Sequence, residues 1–419
     1  MHHFQYRGDD LYCDEVPVSR IASEVGTPAY IYSHATLVRH FQELDQAFAS
    51  VPHLVCFALK ANANLAVLKL FSDLGSGLDV VSGGELFRGL KAGVPPQRIV
   101  YAGVGKSREE IAYALKSDIL MFNVESGQEL RVIHEVASGM GVKARVALRV
   151  NPDVDPKTHP YIATGLRKSK FGIEIERALQ EYEAAKGLSS LDVVGIHQHI
   201  GSQITEVSPF VDSLAKTVGL VRRLRDGGTV IRYLDVGGGL GITYKDEEPP
   251  PLDEFARALT GVIRDLDVTV ILEPGRILVG NAGILLTRVL YTKQSPVKNF
   301  LVVDAAMNDL IRPSLYGSYH AIQRVRRAPA RAEVMVDVVG PICESGDFLA
   351  KDRNLPGCEA GELLAVMSAG AYGHTMSSNY NARPRAPEVM VRGGRFHVVR
   401  ERESYEDLVR GERTLDELG

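Results

Sequence analysis

Eight short apolar runs, each followed by a segment with apolar residues at helical spacing, constrain the fold of this chain most strongly. The runs are Leu54–Leu59, Leu78–Val81, Ile99–Tyr101, Ile119–Phe122, Ala144–Val150, Val193–His199, Ile231–Val236 and Val268–Leu272. Alternating strand and helix units of this number predict an α/β fold, a (β/α)8 barrel of the TIM type. A doubly wound open sheet is the alternative, because one sequence does not fix the number of strands.

Beyond the eighth run, strand-like segments follow one another with turns and little helical periodicity. These segments are Ala282–Tyr291, Phe300–Val303, Glu333–Val339, Leu363–Met367, Glu388–Val391 and Arg395–Val399. They predict a mostly antiparallel β domain. We expect residues 30–277 to form the barrel and residues 1–29 plus 278–419 to form the second domain. The N-terminal runs Leu11–Asp14 and Tyr30–Tyr32 are candidates for an extra strand in that domain.

Composition and charge exclude several classes of protein. The 419 residues include 48 Lys and Arg against 52 Asp and Glu, with no basic run, so we expect neither nucleic acid nor an anionic membrane surface as a partner. No apolar stretch approaches the ~20 residues that span a bilayer, and Met1–Asp10 lacks the apolar core of a signal peptide. Cys13, Cys56, Cys343 and Cys358 lack C-x-x-C spacing. This predicts no disulfide framework and no zinc site, and indicates a reduced, cytoplasmic compartment.

Polar and titratable residues concentrate where the predicted barrel strands end. They are Lys60, Asp79 and Ser82, Asn123 and Glu125, Arg149 and Asn151, His197, His199 and Ser202, Gly237–Gly239, and Glu273–Arg276. The carboxyl ends of barrel strands lie at one rim, and active sites of this fold are built there. Each residue alone fits a solvated loop, but their concentration predicts an active site.

Lys60 closes the first apolar run, so it emerges from the end of a buried strand rather than from a helix surface. A partly desolvated lysine amine is a nucleophile that forms Schiff bases with carbonyls or pyridoxal phosphate. The alternative is a lysine whose head group simply reaches water.

A glycine turn, an acid–base turn and a histidine indicate the binding chemistry of this rim. Gly237–Gly241 lets backbone N–H groups approach an anion such as phosphate, whereas Ile242 breaks the dinucleotide fingerprint. Glu273–Arg276 is either a structural turn or a carboxylate that keeps a pyridine nitrogen protonated, next to a base. His199 is a ring stacked on a cofactor, a core histidine or, with His197, half of a metal pair that no further ligand pattern supports.

These motifs resemble those of the fold-type III pyridoxal-phosphate-dependent decarboxylases and, within them, the diaminopimelate decarboxylases. The matching stretches run in order through nearly the whole chain: Phe57–Asn62, Asp79–Glu85, Leu148–Asp155, Lys170–Gly172, His199–Gln203, Gly237–Gly239, Glu273–Arg276, Arg312–Gly317, Cys343–Ser345 and Ala371–Gly373. Residues 151–165 also look like the diaminopimelate branch. The resemblance implies a barrel plus a β domain, the alanine racemase-like architecture, and an obligate homodimer.

The resemblance also implies roles for particular residues. Lys60 resembles the lysine that carries pyridoxal 5'-phosphate as a Schiff base, His199 the stacking ring, and Cys343 the proton donor to the reacting carbon. The implied cofactor contacts are Lys60, Asp79, His199, Ser202, Gly238, Gly239, Glu273, Gly275, Arg276 and Tyr372, with Glu273 at the pyridine nitrogen. The implied substrate contacts are Arg276, Arg312, Tyr316, Glu344 and Tyr372. Cys343 and Glu344 are expected to reach the active site of the other subunit, and no metal is expected.

The activity implied is decarboxylation of meso-2,6-diaminopimelate to L-lysine and CO2, the last step of lysine biosynthesis. Arg276 and Arg312 suit the distal carboxylate of that amino acid, and Glu344 suits its distal ammonium. A decarboxylase of the same fold acting on another amino acid or on a carrier-bound aminoacyl group is the first alternative. A racemase would place an arginine where Glu273 stands, and a non-catalytic carrier of pyridoxal phosphate would lack the β domain.

Overall fold

The computed structural model describes residues 3–156, 158, 164–165, 169–327 and 331–418. The chain forms two compact units. One consists of Met1–Leu37 with Val279–Gly419, and the other of Val38–Leu278. Residues 157 and 159–163, which belong to the stretch assigned to the diaminopimelate branch, lie outside the described residues.

Eight parallel strands close into a barrel in the unit Val38–Leu278. In chain order they are His53–Ala58, Gly77–Val80, Ile99–Tyr101, Met121–Val124, Ala144–Asn151, Leu191–His197, Tyr233–Asp235 and Thr269–Leu272. The last strand pairs with the first, and the fourth pairs with the fifth, so the sheet has no open edge within this ring. The prediction of a (β/α)8 barrel is confirmed, and the open doubly wound alternative is wrong. A short strand, Ile173–Glu174, adds to the fifth barrel strand.

Helices alternate with these strands. They are His34–Ala47, Leu65–Asp73, Gly83–Lys91, Arg108–Lys116, Gly127–Gly139, Ile175–Lys186, Ser208–Asp226, Leu252–Ile263 and Arg276–Val279. Asn64, Ser82, Ser107 and Ser126 cap the helices that they precede, each accepting a hydrogen bond from a first-turn N–H. Such caps fix the residue at which a helix begins. None of the described helices is long and apolar enough to cross a membrane.

The barrel strands are buried along most of their length, which explains why they appear in the sequence as continuous apolar runs. Cys56, Val100, Met121 and Ile271 belong to one buried cluster of the barrel core. Polar side chains are the exception on these strands. Asp79, Asn123, His197 and Asp235 are each at most 1% exposed although they lie at or near strand ends.

The other unit contains a nine-stranded sheet. Its strands are Ala29–Ser33, Gly283–Gln294, Asn299–Val303, Ile322–Arg324, Glu333–Val339, Phe348–Pro356, Leu363–Val366, Glu388–Arg392 and Arg395–Arg400. Most pairings are antiparallel, so the predicted antiparallel domain is confirmed. Its helices are Val18–Val25, Arg312–Tyr316 and Tyr405–Leu408.

The N-terminal runs have different fates. Tyr30–Tyr32 lies in a strand of the nine-stranded sheet, between Gly283–Gln294 and Glu388–Arg392. Leu11–Asp14 contributes the strand Asp10–Cys13 to the same unit, but in a different sheet. The chain reverses at Gly8, whose φ is 58°, and Asp10–Cys13 folds back on Phe4–Arg7 in a separate three-stranded sheet.

Candidate active site at the carboxyl end of the barrel

Lys60 follows the first barrel strand in a single 3-10 turn, Leu59–Ala61. Its side chain is 38% exposed, and Nζ donates a hydrogen bond of 2.7 Å to Oδ2 of Asp79, which is fully buried in the second strand. Burial, and then repulsion by Glu273, raises the pKa of Asp79, and the neighbouring Lys60 opposes that rise. The structure therefore holds a half-exposed amine against a buried acid at the barrel rim.

Glu273 follows the eighth strand and lies at the centre of a buried polar cluster. Its Oε2 is 3.4 Å from Nε2 of His197, and its Oε1 accepts a hydrogen bond of 3.1 Å from Nδ2 of Asn123. The same Nδ2 donates to Oδ2 of Asp235 at 2.9 Å. These four residues are at most 5% exposed, so the cluster is shielded from solvent.

The two carboxyl groups of this cluster differ in charge. Burial alone would raise the pKa of Glu273, but His197 and then Lys60 outweigh it and hold that pKa below its ordinary value. Burial, and then the charge of Glu273, raises the pKa of Asp235 well above its ordinary value. Glu273 is therefore the ionised acid of the pair, as required of a carboxylate that keeps a pyridine nitrogen protonated.

His199 lies just beyond the sixth strand and contacts the glycine turn. Its Nδ1 accepts a hydrogen bond of 3.2 Å from the backbone N–H of Gly238. Burial, followed by the charges of Arg149 and Lys60, lowers the pKa of His199 well below its ordinary value. The imidazole is therefore neutral, and its flat face is suited to stacking on an aromatic ligand.

The glycine turn after the seventh strand admits no side chain. Gly237 and Gly239 have φ values of 70° and 117°, in the region that favours glycine. A Cβ on Gly238 would lie 2.0 Å from the carbonyl oxygen of Glu273, and one on Gly239 would lie 2.3 Å from that of Gly201. The turn thus packs directly against the main chain of Glu273.

Arg276 supplies a buried guanidinium to the same rim. It is 6% exposed, and its Nη2 donates to Oγ of Ser202 at 3.0 Å while Nη1 donates to the hydroxyl of Tyr244 at 2.7 Å. A guanidinium and hydroxyls beside a glycine turn match the chemistry of a phosphate group. The sequence indicated Ser202 and Arg276 as site residues, but it did not indicate Tyr244. The available signal for Tyr244 was its position shortly after the glycine turn.

Three of the described residues lie close enough together to hold a metal ion. Donor atoms of His197, Asp235 and Glu273 lie within 4.8 Å of one another. Both carboxylates already accept hydrogen bonds from Asn123, and Oδ1 of Asp235 accepts a further one of 2.9 Å from the N–H of Gly237. Three of the four carboxylate oxygens of this group therefore already accept hydrogen bonds from neutral N–H groups.

Five predicted site residues lie outside the barrel. Among them, Arg312 is a buried cation and Tyr372 has a left-handed backbone conformation. The five are Arg312, Tyr316, Cys343, Glu344 and Tyr372. Arg312 is 5% exposed, with Nη2 donating to Oγ of Ser318 at 3.3 Å. Tyr372 has φ of 55°, a conformation that non-glycine residues adopt mainly where the surroundings enforce it, often at functional sites.

Cys343 and Glu344 lie in an exposed turn of the same unit. The N–H of Cys343 donates to Oδ1 of Asn381 at 3.0 Å, and Glu344 accepts a hydrogen bond of 2.9 Å from the hydroxyl of Tyr380. Oγ of Ser314 donates to the carbonyl of Gly346 at 2.6 Å, which joins the helix Arg312–Tyr316 to this turn. The turn that carries Cys343 and Glu344 and the helix that carries Tyr316 are therefore neighbours.

The barrel site fits one ligand with several distinct groups. It offers an amine at Lys60, a flat neutral ring at His199, an ionised acid at Glu273, and a guanidinium at Arg276 beside the glycine turn. An aldehyde, an aromatic ring, a ring nitrogen and a phosphate would be their respective partners. Pyridoxal phosphate carries all of these groups on one molecule.

Comparison with known proteins agrees with that fit. Residues 34–280 match the family described as pyridoxal-dependent decarboxylase, pyridoxal binding domain. This match covers the barrel and defines the chain as a pyridoxal phosphate-dependent decarboxylase.

Relatives that match this chain along its whole length identify a family within this class of decarboxylases. The chain is 52% identical to a diaminopimelate decarboxylase of Aquifex aeolicus over 97% of this chain and 96% of the relative. It is also 52% identical to one of Pseudomonas aeruginosa, over 99% and 100% respectively. A solved diaminopimelate decarboxylase from M. jannaschii, in complex with L-lysine, has a TM-score of 0.94 at 38% identity and covers 100% of both chains. The chain belongs to the diaminopimelate decarboxylase family.

Proposed function

We propose that this chain converts meso-2,6-diaminopimelate to L-lysine and CO2, the last step of lysine biosynthesis, with Lys60 carrying pyridoxal phosphate. One observation supports this proposal above the others. This chain is 52% identical to a diaminopimelate decarboxylase over 97% of its length, and it places the amine of Lys60 and the ionised acid of Glu273 at the same barrel rim.

Residues of the barrel rim would hold the cofactor. We assign the contacts to Lys60, Asp79, His199, Ser202, Gly238, Gly239, Glu273, Gly275 and Arg276, and, by resemblance, to Tyr372. When bound, pyridoxal phosphate supplies an electron sink for the electron pair that remains after CO2 departs. Glu273 holds a proton at the pyridine nitrogen, which strengthens that sink, and the neutral ring of His199 supports one face of the cofactor.

The protein selects the substrate at the end that does not react. Diaminopimelate carries a second carboxylate and a second ammonium there. Arg276 and Arg312 provide guanidinium forks for the carboxylate, and Glu344 provides an acid for the ammonium. Tyr316 and Tyr372 complete the substrate contacts that the resemblance implies. Ornithine and arginine lack the distal carboxylate, so these arginines would favour diaminopimelate.

We propose a homodimer in which Cys343 of one subunit donates the proton to the reacting carbon in the other. The exposure of Cys343 and Glu344 supports this assignment, because neither side chain is buried in the core of its own unit and both are accessible to another chain. Leu315 and Tyr380 are each 45% exposed on the segments that flank this turn. Apolar side chains beside an exposed thiol are typical of a surface that another chain covers.

The compartment proposed is the cytoplasm. All four cysteines are described by the structure, and all are free thiols. Free thiols, two of them fully buried, are consistent with folding in a reducing environment.

Product formation from single stereoisomers tests the proposed function. Purified protein with added pyridoxal phosphate is incubated with meso-, LL- or DD-diaminopimelate, and with lysine, ornithine or arginine, while CO2 and L-lysine are measured. We expect both products from the meso isomer alone, since only that isomer has a D centre and an L centre. Faster CO2 release from another amino acid would replace this function with a different decarboxylase, and racemisation without CO2 would replace it with a racemase.

A further inference from the structure

We propose that Asp235 is a positioning residue for Glu273, acting through Asn123 and through the glycine turn, so that the two ends of the cofactor site are held as one unit. This inference rests on the proposed function, because Glu273 is the acid assigned to the pyridine nitrogen. Asp235 itself is assigned no contact with substrate or cofactor.

Asp235 and Glu273 share the amide of one asparagine, Asn123. Nδ2 of Asn123 donates to Oδ2 of Asp235 at 2.9 Å and to Oε1 of Glu273 at 3.1 Å. Asn123 and Asp235 are both 0% exposed, so water does not compete for these bonds. The rotamer of Glu273 therefore depends on an amide that Asp235 holds from its other side.

Asp235 also contacts the glycine turn at the phosphate end of the site. Oδ1 of Asp235 accepts a hydrogen bond of 2.9 Å from the N–H of Gly237, and the carbonyl of Gly237 accepts one of 2.8 Å from the N–H of Glu273. A Cβ on Gly238 would strike the carbonyl of Glu273. Asp235 thus touches the glycine turn with one oxygen and, through Asn123, the side chain of Glu273 with the other.

Asp235 and Glu273 carry one negative charge between them. Two buried carboxyl groups that share one amide do not both ionise readily, because like charges repel strongly in a low-dielectric interior. Glu273 has His197 at 3.4 Å, whereas Asp235 accepts hydrogen bonds from the neutral N–H groups of Asn123 and Gly237. The negative charge therefore resides on Glu273, and Asp235 keeps its proton, in agreement with the raised pKa of Asp235.

A double-mutant cycle on cofactor affinity tests this coupling. The dissociation constant of pyridoxal phosphate is measured for wild type, Asp235→Ala, Glu273→Gln and the double variant by titration of cofactor-free protein. We expect Asp235→Ala to weaken binding about tenfold in the wild-type background but less than about threefold when Glu273 is already glutamine. An equal factor in both backgrounds, or no effect in either, overturns the proposal.

The conservative variant separates positioning from a general packing role. Asp235→Asn keeps its shape and an oxygen for the N–H of Gly237, but it places an NH2 group where Oδ2 accepts from the amide of Asn123. We therefore expect Asp235→Asn to lose the link to Glu273 and to weaken cofactor binding nearly as much as Asp235→Ala. Asp192→Asn is the matched control, since Asp192 is 40% exposed and pairs with Arg232 on the surface. If Asp235→Asn binds pyridoxal phosphate as tightly as wild type, the bond to Asn123 is not what positions Glu273 and the proposal fails.

The experiment also stands apart from the proposed reaction. A protein that binds pyridoxal phosphate but releases no CO2 from diaminopimelate would refute the proposed function, while the affinity cycle would still decide on Asp235. If Asp235→Ala does not fold, Asn123→Ala takes its place in the cycle, because Asn123 donates to both carboxyl groups. Additive losses in that second cycle count equally against the proposal.

Discussion

Nζ of Lys60 lies 2.7 Å from Oδ2 of Asp79, an acid whose side chain has no exposed surface. The pair joins the first and second barrel strands at their carboxyl ends. Because Asp79 is fixed by the sheet, it restrains a long side chain that would otherwise sample many rotamers. The amine is thereby held at the rim where the resemblance requires a cofactor to attach.

Replacing Lys60 by alanine removes the proposed attachment point. We expect Lys60→Ala to lose the visible absorbance of lysine-bound pyridoxal phosphate and to lower kcat by about a thousandfold or more. Borohydride reduction followed by peptide mass analysis locates the labelled lysine directly. Lys69→Ala is the control, since Lys69 is 59% exposed and pairs with Asp73 on a helix surface. Label on any lysine other than Lys60 would contradict the assignment.

A single methyl group at Gly238 should disturb the site as a whole. The added Cβ meets the carbonyl of Glu273 at 2.0 Å, and relief of such a contact costs about 1–3 kcal/mol. We expect Gly238→Ala to lower Tm and to weaken pyridoxal phosphate binding together. Gly261→Ala is the opposite case, because nothing lies within 4 Å of a Cβ there. That helical glycine should gain about 0.5–1 kcal/mol of stability on replacement by alanine, and unfolding curves of both variants provide the comparison.

The barrel was predictable because its strands are buried on both sides and therefore form continuous apolar runs. Two strands of the other unit, Ile322–Arg324 and Phe348–Pro356, were missed for a physical reason. The first has only three residues. The second contains Lys351–Asn354, a polar stretch that pairs on one side with Glu333–Val339 at the end of the sheet. Edge strands carry charged residues without losing their pairing, which removes the apolar signal.

The site was only partly predictable. Lys60, His199 and Glu273 stand at strand ends within motifs, so their positions were visible from the sequence. The role of Asp235 was not, because an aspartate before a glycine turn reads as an ordinary turn residue. The role proposed for Asp235 depends on its hydrogen bond with Asn123, which lies 112 residues away in the chain and contacts Asp235 across the barrel. Contacts of that kind follow from closure of the sheet rather than from local spacing.

The buried ion pair of Arg149 and Glu125 should be important for stability. Nη1 of Arg149 lies 2.7 Å from Oε1 of Glu125, and their side chains are 7% and 3% exposed. We expect Arg149→Met to destabilise the fold by about 3–5 kcal/mol, because it leaves a buried carboxylate without its cation. Urea unfolding measures the loss. Arg232→Met breaks an exposed pair with Asp192 and should change stability by less than about 1 kcal/mol. Equal losses in the two variants would refute the distinction.

Glu85 should make stability depend on pH near neutrality. Burial raises the pKa of Glu85 from 4.5 to about 7, so the folded state favours its protonated form. The stability that this group contributes is therefore complete below a pH of about 4.5 and is lost as the pH rises through about 7. Glu85→Gln mimics the protonated form and can still accept the N–H of Val81. We expect the Tm of this variant to exceed that of wild type increasingly as the pH rises through that window, whereas exposed Glu254→Gln should follow wild type. A constant difference across the window would contradict the prediction.

The shared active site can be tested by mixing two inactive proteins. Lys60→Ala removes the cofactor lysine and Cys343→Ala removes the proposed proton donor, so each homodimer should be nearly inactive. If Cys343 serves the partner subunit, a mixed dimer contains one site with both native residues. Random exchange makes half of the dimers mixed, and activity should recover to about a quarter of wild type. If Cys343 acts within its own chain, no mixed dimer has a complete site, because one subunit lacks the lysine and the other lacks the thiol. Recovery after co-refolding therefore requires that the thiol come from the other chain, and its absence in dimers proven to be mixed would assign Cys343 to its own barrel.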